Sequence, residues 1–160
     1  EEISLRPTAT VRLDFLTYGP DQESNHRLQC LPSYLPESYA KEPRLRIECY
    51  RKLAKFRTTN EIDDFEEELE DRFGNIPQEG IALLDESRIR CLAEEAEFDL
   101  IQTKGNELWC RQLGKNRDGS KKFFRSAGRI PRISCKEPLL KLKEIIRFLK
   151  IIIHGNKNES

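Results

Sequence analysis

Apolar and polar positions alternate most regularly between Thr58 and Pro77, TTNEIDDFEEELEDRFGNIP. Ile62, Phe65, Leu69 and Phe73 recur at spacings of three, four and four, which puts them on one face of a helix turning 100° per residue. Thr58 and Glu61 stand at capping-box spacing, where each side chain satisfies an orphan backbone N–H at a helix start. Gly74 follows the last apolar position and Pro77 forbids continuation. Start, face and stop agree on a helix over 58–73.

The rest of the chain gives shorter signals. Val11, Leu13 and Phe15 alternate with Arg12 and Asp14, predicting a half-buried strand over 11–18. A polar loop over Gly19–Arg27 leads to a second short strand over Leu28–Leu31, closed by Pro32 and Pro36. Leu45, Cys49, Leu53 and Phe56 predict a helix over 44–56 behind Pro43. The short link Arg57–Asn60 makes it an antiparallel hairpin with the acidic helix. Pro77 opens a third helix running to about Glu97, with Ile81, Leu84, Arg88, Cys91, Leu92 and Ala96 near one face. Phe98–Gln102 and Glu107–Leu113 flank a Lys104–Gly105–Asn106 turn and predict a hairpin. Gly114–Gly128 is basic and turn-rich, Ile130–Ser134 reads as another short strand, and Pro138 starts a last helix to about His154. The fold class expected is α+β: a helical hairpin and a third helix packed with a small antiparallel sheet (11–18, 98–102, 107–113), then a C-terminal helix. Residues 1–10 read as a lead-in, 11–154 as a single domain and 155–160 as a polar tail.

Charge sharpens this outline. The 160 residues carry 28 bases and 28 acids, but the zero total is a cancellation of two poles. Residues 61–71 hold eight acids and no base, whereas 111–136 hold nine bases against Asp118 alone. With 37% apolar and 35% charged residues, a modest core and a large wet surface are expected. Five cysteines scattered singly argue against a disulfide framework or a zinc site and suit a reducing cytoplasm. The run 145–153 is too short to span a membrane and is broken by Arg147 and Lys150. With no methionine in the sequence, the chain reads as a piece of a longer protein.

Candidate chemistry is sparse. No Walker-type loop, HExxH or GxSxG is present, and His26 and His154 lie far apart in a loop and a terminal helix. No catalytic residue, metal site or cofactor is expected, because a straight row of carboxylates does not converge on an ion or face another acid across a cleft. That row is nonetheless unusual. Glu61, Asp64, Glu68 and Asp71, spaced three, four and three apart, form a stripe turned away from the apolar face, followed by Arg72. Like charges at i,i+4 repel by about 0.2–0.5 kcal/mol per pair. Such a run is ordinarily a solvated face; here a docking edge for a basic partner is the sharper reading. The basic stretch offers a competing one. Lys121, Lys122, Phe123, Phe124, Arg125 and Arg129, with Trp109 nearby, resemble a surface that tracks a nucleic-acid backbone and stacks its bases. The bland readings are a solvated loop or neutralisation of the acidic helix.

The strings Leu35-Pro36-x-x-Tyr39, Arg46-Ile47-x-x-Tyr50-Arg51-Lys52-Leu53-Ala54, Glu67-x-Leu69-x-Asp71-Arg72-Phe73-Gly74-x-Ile76-Pro77, Leu83-Leu84 and Arg88-x-Arg90-x-x-Ala93 resemble the C-terminal domain of bacterial transcription-repair coupling factors, the Mfd family. The resemblance spans roughly residues 11–110 and ends after about Trp109. It implies a parent that is a DNA translocase driven by ATP and Mg, acting on stalled RNA polymerase and recruiting UvrA, with the motor upstream. It implies that this domain is non-catalytic and autoinhibitory, packing on a UvrB-like N-terminal module so as to hide the surface UvrA would use. The matching contact positions are Glu68 and Asp71, facing arginines of that module.

Overall fold

A computed structural model describes residues 8–18 and 30–158. Its elements are strands β1 (Thr10–Arg12), β2 (Leu16–Thr17) and β3 (Leu31–Pro32), helices α1 (Pro43–Lys55), α2 (Thr59–Phe73) and α3 (Gln78–Glu95), strands β4 (Phe98–Lys104), β5 (Glu107–Lys115) and β6 (Lys121–Phe123), and helix α4 (Pro138–Asn158). The α+β class expected from the sequence is the one observed.

Helix α3 separates two apolar cores, so the residues read near one face divide: Leu84 and Cys91 enter one core, Leu92 and Ala96 the other. On one side Ala82, Ile89, Leu92, Ala93 and Ala96 meet β4, β5 and the α4 residues Leu142, Ile145, Ile146, Leu149 and Ile153. On the other, Leu84 and Cys91 meet Leu35, Cys49 and Leu53, and Ile62, Phe65 and Leu69 of α2. Each buried aliphatic or aromatic side chain contributes about 1.5–3 kcal/mol, so α1 and α2 are fixed to the domain through α3. The predicted hairpin of α1 and α2 is seen in its side chains: Phe56 meets Phe65 edge-on at 5.5 Å, and Lys52 lies 5.9 Å over the same ring. The capping box is present at Thr58, with Glu61 N–H donating to Thr58 Oγ1. Gly74 ends α2 with φ +87°, a backbone open to glycine and strained for other residues.

The sheet differs from expectation. It has the order β1-β4-β5-β6, and β1 pairs with β4 in parallel, so the sheet is mixed. The whole α1–α3 unit is the crossover between those two strands, long enough to return the chain in the same direction. The strand predicted over 11–18 is broken in two. Asp14 is the cause: its carboxylate accepts from Thr103 Oγ1 and from the Gly105 N–H, both at 2.8 Å, and its own N–H donates to Thr103 Oγ1. These bonds pull the chain out of the ladder toward the β4–β5 turn, and β2 pairs instead with β3. Residues 130–134 form no strand. Leu108 N–H donates to Pro131 O and Ile133 N–H to Asn106 O, but Pro131 has no N–H to extend a ladder. Conversely, β6 lies within the stretch read as turns only, closed against β5 by a turn in which Asp118 accepts from the Ser120 N–H and hydroxyl. The tail predicted from residue 155 is helical to Asn158, since Gly155 keeps right-handed backbone and no proline intervenes. Residues 1–7, 19–29 and 159–160, with the lead-in, the polar loop, His26, Leu28 and the tail's end, lie outside the described residues.

Charged side chains tie the helices across the cores. Arg88 of α3 is buried; its Nη2 lies 2.9 Å from both Asp63 and Glu66 of α2, and its Nη1 2.9 Å from Asp85. Asp85, fully buried, meets Lys143 of α4 at 2.9 Å. Burial alone would push the Arg88 guanidinium down, but Glu66, Asp85 and Asp63 outweigh it and hold it above its ordinary value. A second tie centres on Glu94, also buried, which pairs with Arg90 at 3.2 Å and Arg57 at 3.1 Å and accepts from the Ala9 N–H. Arg90 donates to Leu53 O and Phe56 O, both at 2.9 Å, satisfying carbonyls at the end of α1. Glu144 of α4 accepts from the Ser134 and Cys135 N–H groups. Burial works to raise its carboxyl, and these bonds outweigh it and hold it below the usual range.

Replacing Arg88 by Met is expected to cost about 3–5 kcal/mol of unfolding free energy in urea, because Asp85 and Glu66 lose a buried partner, whereas Lys52→Ala, at an exposed pair, costs less than about 1 kcal/mol. Glu97, just past α3, sits at φ +64°; Glu97→Gly is expected to gain about 0.5–1 kcal/mol in the same assay, as glycine removes the left-handed strain and returns part of that gain as backbone entropy.

Candidate interdomain docking edge

Helix α2 has three sides. Its apolar side holds Ile62, Phe65 and Leu69 in the core. Of its eight acids, four that flank that side, Glu61, Asp63, Glu66 and Glu68, are engaged within the domain. On the α3 flank, Asp63 and Glu66 hold Arg88. On the α1 flank, Glu68 lies 3.5 Å from Lys52 and 3.7 Å from Arg72. Glu61 accepts from the N–H groups of Arg57 and Thr58 and from the Thr58 hydroxyl. What remains is Glu70, exposed on one shoulder, and the outermost strip, Asp64, Glu67 and Asp71, all exposed, at i, i+3 and i+7 and thus on one line along the helix. None of these three takes part in an ion pair or side-chain hydrogen bond among the described residues.

The predicted stripe is therefore brought together in part. Asp64 and Asp71 stand on the open strip. Glu61 is committed to the helix start, where a carboxylate satisfies N–H groups that would otherwise be orphaned. Glu68 sits on the shoulder facing α1, and its two pairs are long and about 40% exposed, so each is worth under about 1 kcal/mol. Arg72 bonds Glu68 and lies 5.1 Å over the Phe73 ring at the helix end. Glu67 is the residue that sequence reasoning missed. The signal was available: at 100° per residue Glu67 lies nearly opposite the mean direction of Ile62, Phe65, Leu69 and Phe73.

The helix end is set by Tyr39, whose hydroxyl donates to Leu69 O at 3.1 Å and Gly74 O at 2.7 Å and whose ring meets Phe73 at 5.6 Å. These contacts fix where Asp71 points without touching it.

The basic stretch is arranged differently from the stacking surface its composition suggested. Lys121, Lys122, Arg125 and Arg129 are exposed. Phe124 is not on offer: it meets Phe98 at 6.0 Å and Phe148 at 5.8 Å and packs on the core under the sheet. Apolar burial wins there over display. Phe123 stands edge-on to Trp109 at 5.1 Å, and Lys104 lies 4.6 Å over the Trp109 ring, so the indole face is covered by a cation of the same chain. Nor does this stretch neutralise α2. Lys52, Arg72 and Arg88 pair with acids of α2, whereas Arg111, within the basic stretch, pairs with Asp99.

No group of three His, Cys, Asp or Glu side chains among the described residues converges as a metal ion would need. His154 is exposed on α4. Cys49, Cys91 and Cys110 are buried, and burial pushes the Cys110 thiol up to about 12, which suits packing and not nucleophilic chemistry. No described helix is long and apolar enough to cross a membrane.

Comparison with known proteins shows the family and the fold. The TRCF domain family matches residues 30–121, from β3 to the start of β6, somewhat later along the chain than the 11–110 expected. Transcription-repair-coupling factors of Staphylococcus epidermidis (strain ATCC 35984) and Staphylococcus aureus (strain USA300) are 38% identical over 78 residues and 40% identical over 75. Those stretches are 49% and 47% of this chain but 7% and 6% of the relatives, so the chain spans a small part of their length. A crystal structure of the C-terminal domain of a transcription-repair coupling factor has the same fold, with a TM-score of 0.53, covering 92% of this chain and 98% of that one at 17% identity. With more than half of its residues matched, the chain belongs to the TRCF domain family.

Proposed function

We propose that this chain is a non-catalytic regulatory domain of a transcription-repair coupling factor, and that α2 holds the parent protein in a closed state. The open strip Asp64, Glu67 and Asp71, with Glu68 on its shoulder, takes arginines of a UvrB-like module of the same parent. In the closed state that contact covers the surface at which UvrA docks. The parent's motor supplies ATP-driven translocation on DNA near stalled RNA polymerase, and this domain limits it.

One observation carries the reading: where the buried Asp85 and Glu94 are each matched by bases, three carboxylates in a row are left open on a rigid, capped helix. Family membership makes a larger parent the natural source of the partner. The magnitudes suit a switch. A partly exposed pair contributes at most about 1 kcal/mol, so three or four hold a closed state that a competing partner can open.

In the full-length parent, Glu68→Lys with Asp71→Lys is expected to raise UvrA binding and basal ATP hydrolysis on the order of tenfold, as roughly 1–2 kcal/mol of closure is lost. Pull-down with UvrA and steady-state ATPase rates measure it, with the domain's urea midpoint as the folding control. UvrA binding that stays at the parent's level in a folded variant rejects the proposal.

A further inference from the structure

A cleft of about 520 Å³ opens between β3, α1 and α3, away from the acidic strip; Tyr18, Ser33, Leu35, Arg46, Tyr50 and Glu86 line it. Three features set it apart. Its rim is aromatic: Tyr18 and Tyr50 are 48% and 38% exposed, although large and apolar, and Ile47, one helical turn before Tyr50, is 51% exposed. Its floor is a carboxylate. Glu86 accepts from Tyr18 Oη at 3.4 Å through Oε1 and from Ser33 Oγ at 3.1 Å through Oε2. That carboxylate has no cationic partner among the described residues. The nearest base lining the cleft, Arg46, donates to Ala40 O and Lys41 O at 2.6 and 3.0 Å and is thereby held to the loop before α1.

We propose that this cleft binds the arginine side chain of a partner polypeptide. Each Glu86 oxygen accepts one hydroxyl and keeps a free lone pair, so together they match the two parallel N–H donors of a guanidinium. The tyrosines lining the cleft supply aromatic surface of the kind on which a guanidinium plane stacks. A carboxylate removed from water without a counter-charge is costly, and an incoming cation relieves that cost. Consistent with this, burial raises the Glu86 carboxyl above its ordinary value in spite of the two hydroxyl bonds, with Tyr18 pushed up to about 12 by its own burial and by the Glu86 charge. Glu37 adds a second acid to the lining, and the apolar rim of Ile47 and Tyr50 gives main chain on either side of the arginine something to cover. The site is separate from α2 and does not depend on the autoinhibitory reading.

The test is a titration of the 160-residue chain, isotope-labelled in its tyrosine rings, followed by NMR. Nα-acetyl-arginine amide is the probe, Nα-acetyl-citrulline amide its uncharged isostere and free arginine the third arm. Saturable shifts of Tyr18 and Tyr50 with the arginine amide, at least tenfold weaker binding of the citrulline amide, and loss of the shifts in Glu86→Gln support the proposal. Gln keeps an acceptor for Ser33, while it removes the charge and replaces the oxygen facing Tyr18 by an N–H donor. Should Glu86→Gln unfold, the arginine-to-citrulline ratio in the native chain decides alone. No shift up to about 50 mM probe, a ratio below ten, or unchanged shifts in a folded Glu86→Gln overturns it; free arginine binding more tightly than the blocked residue marks a small-molecule site and overturns the polypeptide source.

Discussion

The guanidinium of Arg88 joins three helices at one buried point. It bonds Asp63 and Glu66 of α2 and Asp85 of its own helix, and Asp85 in turn holds Lys143 of α4. Arg88 is the member shared by all three acids: removing it takes the cation from Asp63 and Glu66 and leaves the fully buried Asp85 with Lys143 alone. Apolar contacts in the two cores supply the larger part of the stability, but they would tolerate α2 rotated slightly about its axis. The forked geometry of arginine does not, since two carboxylates one turn apart must both reach it. The orientation of α2, and with it which acids face outward, is thus set from inside the domain.

This arrangement separates the acids of one helix by task. Glu61 closes the helix start, Asp63 and Glu66 grip α3, Glu68 leans toward α1, and Asp64, Glu67 and Asp71 are left outward, with Glu70 exposed beside them. A helix with eight acids in eleven positions is unfavourable in isolation, through like-charge contacts at i,i+4. Burial of Ile62, Phe65 and Leu69, the capping box and the Arg88 contact offset that repulsion. The carboxylates on the open strip keep the uncompensated part of the field, which is what an arginine-bearing surface would meet first.

How far the sequence announced this depends on the range of the interaction. α2 was legible to the residue or nearly so, because capping box, apolar spacing and Gly74 stop all act within one or two turns. The β4–β5 hairpin was legible for the same reason. What failed were contacts made across the chain. Asp14 breaks its strand by bonding residues about ninety positions away, and nothing local to Val11–Tyr18 records that. The parallel pairing of β1 with β4 follows from the path of three intervening helices. Arg88 reads as a base near the apolar face of its helix, but its partners Asp63 and Glu66 appear only when α2 is packed against it. Phe124 sits among lysines and arginines and reads as display, yet Phe98 and Phe148 draw it into the core. At the docking edge, Asp64 and Asp71 were found by pattern, while the division between engaged and open acids required the positions of Lys52 and Arg88.

The burial of Arg88 has a consequence for electrolyte. Mobile ions screen charges they can surround, with a length of about 8 Å at 0.15 M and about 3 Å at 1 M. They surround the carboxylates of Asp64, Glu67 and Asp71, and they are kept from the guanidinium behind α2 by the packed side chains around it. Concentrated salt accordingly blunts the outer face of the helix while leaving its seat intact, so the same element is soft toward a partner and hard toward its own domain.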